Sequence, residues 1–390
     1  MKPLADGLDR ILGEGAIAVM GEARRLEQSG KRILHFEIGQ PDFPTPQHIK
    51  QAGIQAIEDG YTGYSVSGGV PEIKQAIQDE IENTRGFRPS QNQILIMPGG
   101  KAGIYFTMIG TCIPGDEVIF PDPGFPTYRS LCHYIGVESI PIRLKEENDF
   151  RLDPEDIATR INERTKLIIL NSPQNPTGSV MTKDEIEAVA KLAEENDCFI
   201  LSDEIYSKIL YDTEFHSVTS ADQAKQRSIL LDGFSKAYAM TGWRLGYIIG
   251  PEPLIEKLVT LTVNAFSCTP EFVQRAGIAA LAGSQDRLLE MTQTFRKRRD
   301  AIVKGLNTIP GFSCKTPPGA FYAWPNITGT GQSSQDVATL LLHEAGVACL
   351  PGTDFGPDGE GYLRFSYASS LETISEAMDC IKKASTRWAG

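Results

Sequence analysis

A lysine, a hydroxyl group and an arginine lie close together in one short stretch of the chain. The stretch from Leu230 to Gly246 reads LLDGFSKAYAMTGWRLG and contains Lys236, Thr241 and Arg244. The apolar run at 228–232 is typical of a buried strand. Ligands of open α/β sheets bind beyond the carboxyl ends of strands, so Lys236 is expected in a cleft. Its amine can attack a carbonyl group, while the hydroxyl and guanidinium groups can hold a phosphate. The alternative is a lysine and an arginine exposed in a surface loop.

A second candidate is the stretch Gly99-Gly100-Lys101, which follows the apolar run at 94–97 and opens a predicted helix. The free N–H groups and the dipole of a helix N-terminus suit a phosphate. The spacing is not that of a P-loop, which needs G-x-x-x-x-G-K-[ST]. The side chain of Lys101 could equally be exposed to solvent.

Asp203 and Tyr206 follow another apolar run, Phe199 to Ser202. A carboxylate at the end of a buried strand can pair with a protonated ring nitrogen and keep it cationic. Alternatively, Asp203 caps the next segment, which is a common position for aspartate. In the proline-rich loop at 171–178, Asn175 is either a turn former or a donor to a phenolate oxygen.

Two further residues are unusual for their surroundings. Phe125 lies in a loop rich in proline and glycine, where it either packs against the protein or stacks on a flat ligand ring. Arg364 lies inside the apolar run Tyr362 to Tyr367, where its charge needs a partner. That partner is either a structural acid or the carboxylate of a ligand, which binds arginine with two hydrogen bonds.

Together these residues describe one kind of site. An amine, a carboxylate for a ring nitrogen, a phosphate cup, a stacking aromatic ring and a carboxylate-binding arginine are the parts of a pyridoxal phosphate site that acts on amino acids. No single member of the set is specific, but the combination is.

The chain also resembles a known family, the class I/II pyridoxal-phosphate-dependent aminotransferases of fold type I, which include aspartate aminotransferase. The resemblance extends over nearly the whole chain. It is carried by four motifs: GQPDF from Gly39, NSPQNPTG at 171–178, SDEIY at 202–206 and SKAYAMTGWRLG at 235–246. It implies an α/β fold whose large domain has a mostly parallel, doubly wound sheet, together with a smaller α+β domain.

The resemblance implies roles around the cofactor ring. Lys236 would carry the internal aldimine, and Asp203 would bind the pyridine nitrogen. Asn175 and Tyr206 would contact the ring hydroxyl group, and Phe125 would stack on the ring. Lys236, Asp203 and Tyr206 would be the catalytic residues.

It also implies roles for the cofactor phosphate. The main-chain amides of Gly100 and Lys101 would bind it together with Ser235 and Arg244. Tyr64 resembles the tyrosine that reaches the phosphate in the partner subunit, which implies a homodimer with shared sites.

Substrate binding is implied for three residues. Arg364 would bind the α-carboxylate, helped by Asn175 and by the backbone near Gly39. Dicarboxylate-specific members with a dedicated arginine take it from a region that corresponds to 262–270 here, and this stretch contains no arginine. Such members also tend to have tryptophan at the position of Phe125. Both departures leave room for neutral or aromatic amino acids, and specificity is expected from Phe125, from 262–270 and from the N-terminal segment.

The implied activity is transfer of the amino group of an L-amino acid to a 2-oxo acid by a ping-pong mechanism through the Lys236 aldimine. The same cofactor chemistry leaves a lyase or a synthase open as an alternative. A non-catalytic sensor of the same fold is a further alternative. The chain's net charge of -12 does not favour DNA binding by such a sensor.

The elements that must position these residues alternate between apolar strands and helices from about residue 46 to 285. We predict that 46–285 is the large cofactor-binding domain and that 286–390 is the small C-terminal domain. Residues 1–45 are predicted to form an N-terminal arm and part of the small domain. The basic run at 296–299 is interpreted as a solvated helix face.

The composition of the chain excludes some classes of partner and indicates a cellular compartment. The net charge of -12 argues against nucleic acid and against anionic membranes. Seven scattered cysteines without a C-x-x-C pair fit reduced thiols, and the five histidines form no H-x-x-x-H pattern. No signal peptide or membrane-spanning run is recognised. We therefore expect a cytoplasmic enzyme without a metal site that acts on amino acids and 2-oxo acids.

Overall fold

A computed structural model describes residues 6–388. The helices are α1 to α14, and their bounds in chain order are Asp6–Asp9, Gly15–Gln28, Gln47–Glu58, Pro71–Arg85, Gly100–Thr111, Pro126–Ile135, Pro154–Ala158, Lys183–Glu195, Thr219–Asp222, Glu252–Ala265, Glu271–Ala282, Asp286–Leu306, Ser334–Leu340 and Leu371–Ala384. The first five residues of the predicted N-terminal arm and the last two of the predicted small domain lie outside the described residues.

The strands are β1 to β12, and their bounds are Leu34–His35, Ile94–Met97, Glu117–Asp122, Glu138–Arg143, Thr165–Asn171, Phe199–Asp203, Ser228–Gly233, Gly246–Ile249, Tyr322–Ala323, Val347–Ala348, Leu350–Pro351 and Leu363–Ser366. Seven of them form a sheet in the order β2-β8-β7-β6-β5-β3-β4. Helices cover both faces of this sheet, and the strands carry apolar side chains on both faces. The mostly parallel α/β sheet predicted from the sequence is confirmed.

One strand of the large sheet runs against the others. β8 is antiparallel to both β2 and β7, and its first residue, Gly246, pairs with Gly233 at the end of β7. The start of β8 therefore lies at the same sheet edge as the carboxyl ends of its parallel neighbours. This reversal places Arg244 and Lys236 at one edge although a turn separates them.

The carboxyl ends of the parallel strands are also in register. Asn171 at the end of β5 pairs with Asp203 at the end of β6, and Asp203 pairs with Leu231 of β7. Two neighbouring strand ends thus present polar residues side by side, as expected at the ligand-binding edge of such a sheet.

A second group of elements follows α11. Strands β11, β12 and β9 form an antiparallel sheet that packs with α12, α13 and α14 around an apolar core. β1 pairs in parallel with β10, so residues close to the N-terminus lie against the C-terminal part of the chain. The domain boundaries given above stay a prediction.

The interpretation of 296–299 as a solvated face is wrong for two of its residues. Arg296 and Lys297 are exposed, but Arg298 and Arg299 are buried in the same helix, α12. Arg298 forms two hydrogen bonds with Asp42 at 2.6 and 2.8 Å. A helix turns by about 100° per residue, so four consecutive charges cannot all face solvent.

Smaller differences from the predicted elements concern their lengths. The apolar pattern at 33–38 predicts a strand, but the strand there, Leu34–His35, is only two residues long. The pattern at 334–345 predicts one helix, and this helix ends in a π-helical turn at Leu341–Ala345. The sequence Thr182-Lys-Asp-Glu185 predicts a capping box, and the capping box is present at the start of α8. Within residues 6–388, no helix has both the length and the apolar character needed to cross a membrane.

Candidate active site

A cavity of about 310 Å³ lies at the carboxyl edge of the large sheet. All but one of the residues predicted for the site line it: Gly39, Gly100, Lys101, Phe125, Asn175, Asp203, Tyr206, Ser235, Lys236, Arg244 and Arg364. Tyr64 is the exception, and 91% of its surface is exposed. The structure thus brings together residues that are as far as 325 positions apart, from Gly39 to Arg364.

Lys236 follows the end of β7 and reaches into this cavity. Its Nζ donates a hydrogen bond of 2.6 Å to the main-chain carbonyl of Gly39. Burial lowers the pKa of this amine to about 8, and the nearby charges of Arg364, Arg244 and Lys101 act in the same direction. An amine with this pKa can both lose and take up a proton near neutral pH, as a base in catalysis must.

We expect the protein without cofactor to display this pKa directly. Because acylating reagents attack only the neutral amine, the labelling rate of Lys236 should rise with pH and reach half its maximum near pH 8 rather than near the ordinary 10.5. Peptide mass spectrometry across a pH series measures the midpoint for this one lysine. A midpoint above pH 10 would contradict the effect of burial and of the three surrounding cations.

Asp203, the last residue of β6, is buried beside Lys236. Burial raises the pKa of its carboxyl group to about 6, while a hydrogen bond from the Tyr128 hydroxyl favours the charged form. That bond is 2.6 Å long and ends on Oδ2. The side-chain amide of Asn171 donates to the main-chain carbonyl of Asp203 at 3.0 Å and holds the ends of β5 and β6 together. The carboxylate is therefore held in place and suited to a cationic partner.

Tyr128 was not identified from the sequence. It lies in α6, 75 residues before Asp203, within an ordinary amphipathic helix pattern. Phe125 lies just before this helix, and its ring meets the Tyr128 ring edge-on at 5.7 Å between centroids. The partly exposed ring of Phe125 thus forms one wall of the cavity.

Tyr206 has a second tyrosine as its partner, Tyr322 of β9, which sequence reasoning also missed. Their hydroxyl groups are 2.7 Å apart, and burial raises the pKa of both. A Cβ atom at Gly39 would overlap the Tyr322 hydroxyl, so the backbone can approach this tyrosine only at a glycine. This close approach explains the glycine at position 39.

The N-terminus of α5 forms another part of the cavity wall. The helix begins at Gly100, and Gly99 before it has a φ of 90° that favours glycine. A Cβ atom at Gly99 would overlap the guanidinium of Arg244, so the two lie in close contact. Free helix amides, Arg244 and Ser235 therefore meet at one place, as a phosphate requires.

The side chain of Lys101 is half exposed and forms an ion pair with Glu14. Its Nζ also lies 5.5 Å from the centre of the Phe125 ring. The exposure of this side chain could not be predicted from the sequence. The cavity wall also includes Glu14, Ala16, Ile17 and Ile38.

Arg364 is buried, and no carboxylate of the described residues lies within ion-pair distance of it. Nη1 is 3.4 Å from the Asn175 side-chain oxygen, and Nη2 donates to the main-chain carbonyl of Glu37. Nε has no partner among the described residues. The guanidinium lies 4.7 and 5.0 Å from the ring centres of Tyr322 and Phe355. A ligand carboxylate would supply the missing acceptor.

The stretch at 262–270 does not line the cavity formed by residues 6–388 of one chain. Its first four residues belong to the last turn of α10, and Cys268 and Thr269 contact Ser65. Of the regions expected to govern specificity, Phe125 and the N-terminal segment line the cavity.

Comparison with known proteins agrees with this geometry. Residues 31–381 match the profile of the family described as "Aminotransferase class I and II". The chain belongs to this family. An aspartate aminotransferase of Pyrococcus horikoshii is 38% identical over 90% of both chains. An aromatic-amino-acid aminotransferase of Thermococcus litoralis is 37% identical over 92% of this chain and 93% of the other.

A solved structure described as an aspartate aminotransferase from Rhizobium meliloti has a TM-score of 0.95 and 33% identity, covering 99% of this chain and 100% of the other. The expected family, the fold and the aminotransferase activity are thereby confirmed. The chain is an aminotransferase with the fold of the type I enzymes.

Proposed function

We propose that this aminotransferase uses pyridoxal 5'-phosphate, held by Lys236, to move the amino group of an L-amino acid to a 2-oxo acid. The observation that carries the proposal is the buried amine of Lys236, whose pKa is lowered to about 8 in a cavity that also contains Asp203, Arg244 and Arg364. Each of these three groups suits a different part of one ligand. The transfer follows the ping-pong order implied by a single amino-group carrier.

The residues present fit the cofactor. The start of α5, Ser235 and Arg244 line the same cavity and can bind a phosphate, and the glycine at position 99 lets the guanidinium of Arg244 approach the helix N-terminus closely. The buried carboxyl group of Asp203 has a raised pKa, and a cationic ring nitrogen would restore its charged form. The Tyr206 hydroxyl and the Asn175 amide lie in the same cavity and can donate to a ring oxygen.

When bound, pyridoxal phosphate supplies an aldehyde for the amine and an electron-withdrawing ring that stabilises negative charge on the substrate. Nζ of Lys236 accepts the proton from the substrate's α-carbon and then donates it to the cofactor carbon that carries the aldehyde group. Asp203 keeps the ring nitrogen protonated. Arg364 holds the carboxylate of the amino acid or the oxo acid and so aligns the α-carbon with Lys236.

Covalent trapping tests the proposal. We expect borohydride treatment of the protein loaded with pyridoxal phosphate to fix the cofactor on the peptide that contains Lys236. Peptide mass spectrometry should find no label on Lys208 or Lys101. Label distributed over several lysines, or absent from Lys236, would contradict the proposal.

We further propose a homodimer in which Tyr64 of one subunit reaches the cofactor phosphate of the other. Tyr64 is exposed and does not line the cavity of its own chain, and the apolar side chains of Ile54, Ile57, Val66 and Val263 are also about half exposed or more. Such a surface fits an interface between subunits. Sedimentation analysis should give twice the mass of one chain, and a monomer at micromolar concentration would contradict this part.

The amino donor, the 2-oxo acid acceptor and a cytoplasmic location belong to the same proposal. The two relatives above are named for aspartate and for aromatic amino acids. The apolar wall of Ile17, Ile38 and Phe125 supports acceptance of an uncharged side chain. The seven cysteines are free, which fits a reducing compartment.

A further inference from the structure

One short segment of the chain touches two cations of the site, Lys236 and Arg364. The carbonyl of Glu37 accepts a hydrogen bond from Nη2 of Arg364, and the carbonyl of Gly39 accepts one of 2.6 Å from Nζ of Lys236. The two carbonyls are two residues apart. The position of the segment Glu37–Gly39 therefore influences how the amine and the guanidinium are placed.

The backbone holds this segment firmly at only one end. The amide of Phe36 donates to Ala348 at 2.8 Å, and its carbonyl accepts from Ser366 at 2.8 Å. Strand β1 ends at His35, and beyond Phe36 the backbone leaves its pairing with β10. The side chain of Glu37 is the next anchor.

This side chain is fully buried, although an uncompensated carboxylate in such a place is costly. Oε1 of Glu37 lies 2.8 Å from Nδ1 of His35, and Oε2 has no partner among the described residues. The other ring nitrogen of His35, Nε2, lies 3.1 Å from the exposed Glu27 of α2. Because both ring nitrogens face carboxylate oxygens, both must carry protons, and the ring is an imidazolium.

The charges around this pair agree with that state. The hydrogen bond to Glu37, acting with Glu27 and against burial, raises the pKa of His35 to about 9. His35 therefore carries its positive charge at neutral pH and loses it as the pH rises through about 9. Arg364 and the Cys349 thiol also face Glu37, and burial raises the pKa of Cys349 so far that the thiol stays neutral.

We propose that Glu37, held by His35, is a positioning residue that fixes the carbonyls presented to Lys236 and Arg364. The inference rests on the proposed function, because it takes Lys236 as the base and Arg364 as the carboxylate ligand. A purely structural ion pair would stabilise the fold without affecting either cation, so the two possibilities predict different measurements.

The test compares Glu37→Gln with the matched control Glu27→Gln, which removes the other acid bound to His35. In the loaded enzyme, Glu37→Gln should raise KM for both the amino acid and the oxo acid about tenfold, and the control should leave both unchanged. In the protein without cofactor, the labelling midpoint of Lys236 should fall below 8 in Glu37→Gln only, because a displaced Gly39 carbonyl no longer stabilises the ammonium.

Unchanged KM and an unchanged midpoint in Glu37→Gln would overturn the inference, even if the protein melted at a lower temperature. If Glu37→Gln does not fold, the half-exposed His35→Gln should move both quantities in the same direction by a smaller amount, and no change there would also overturn it. Arg364→Lys serves as the reference in the same assay. If that variant keeps the original KM, it is the proposed function that fails.

Discussion

Replacing Lys236 with alanine should abolish amino transfer, lowering kcat by at least about 10⁴-fold. The cavity contains one other lysine, Lys101, whose amine is half exposed and paired with Glu14. Removing Lys236 therefore removes the proposed covalent anchor and proton carrier. Steady-state kinetics on the loaded variant measure the loss.

The matched control for this prediction is Lys257→Ala, which changes an exposed lysine of α10. We expect it to keep the original kcat. A Lys236→Ala variant that retained a substantial fraction of the turnover would show that another group moves the proton, and the assignment of Lys236 would be wrong.

The second large effect concerns stability and depends on Arg85 at the end of α4. Its guanidinium is buried and lies 3.0 Å from Glu204 and 3.1 Å from Asp232. Glu204 directly follows Asp203, and Asp232 lies four residues before Lys236. Arg85 thus joins the end of β6, which carries Asp203, to the end of β7, which leads to Lys236 in the candidate site.

Arg85→Met should lower the free energy of unfolding by about 3–5 kcal/mol, because it leaves two carboxylates buried without a cation. The loss should be larger at pH 8 than at pH 6. Burial raises the pKa of Asp232 to about 7, so this group can be protonated at the lower pH. Urea unfolding at the two pH values measures both effects.

Arg88→Met provides the control for Arg85→Met, because Arg88 pairs with Asp79 and Glu82 at the surface. Salt bridges between exposed side chains contribute little to stability. The control should therefore have nearly the same free energy of unfolding as the original protein. Equal stability of the Arg85→Met variant and the control would contradict the importance of the buried cluster.

Much of the site could be predicted because its residues directly follow apolar strands. Lys236, Asp203 and Asn175 each lie at or just beyond the end of a strand with the short, β-branched and apolar pattern of a buried parallel sheet. The edge where they meet follows from the topology of such a sheet. Arg364 could be recognised because a charge inside an apolar strand needs a partner.

The tyrosines that support the site could not be found in this way. Tyr128 and Tyr322 lie on other elements, and only the packing of those elements brings their hydroxyl groups to Asp203 and Tyr206. The reversed direction of β8 was equally hidden, since hydrophobic pattern does not distinguish parallel from antiparallel strands when both faces are buried.

The interpretation of the basic run at 296–299 as a solvated face was wrong for a related reason. Arg298 is paired with Asp42, which is 256 residues away, and nothing in the local pattern indicates that contact. The local sequence shows that a segment is charged, but whether one of its side chains is buried depends on a partner elsewhere in the chain.

The measurement that tests the central claim most directly is the stoichiometry of a single half-reaction. The enzyme loaded with pyridoxal phosphate is mixed with an excess of amino acid in the absence of an oxo acid. We predict release of about one 2-oxo acid per subunit, after which the reaction stops until a 2-oxo acid acceptor is added. Continuous release of ammonia or of another fragment of the amino acid, without any acceptor, would contradict the account.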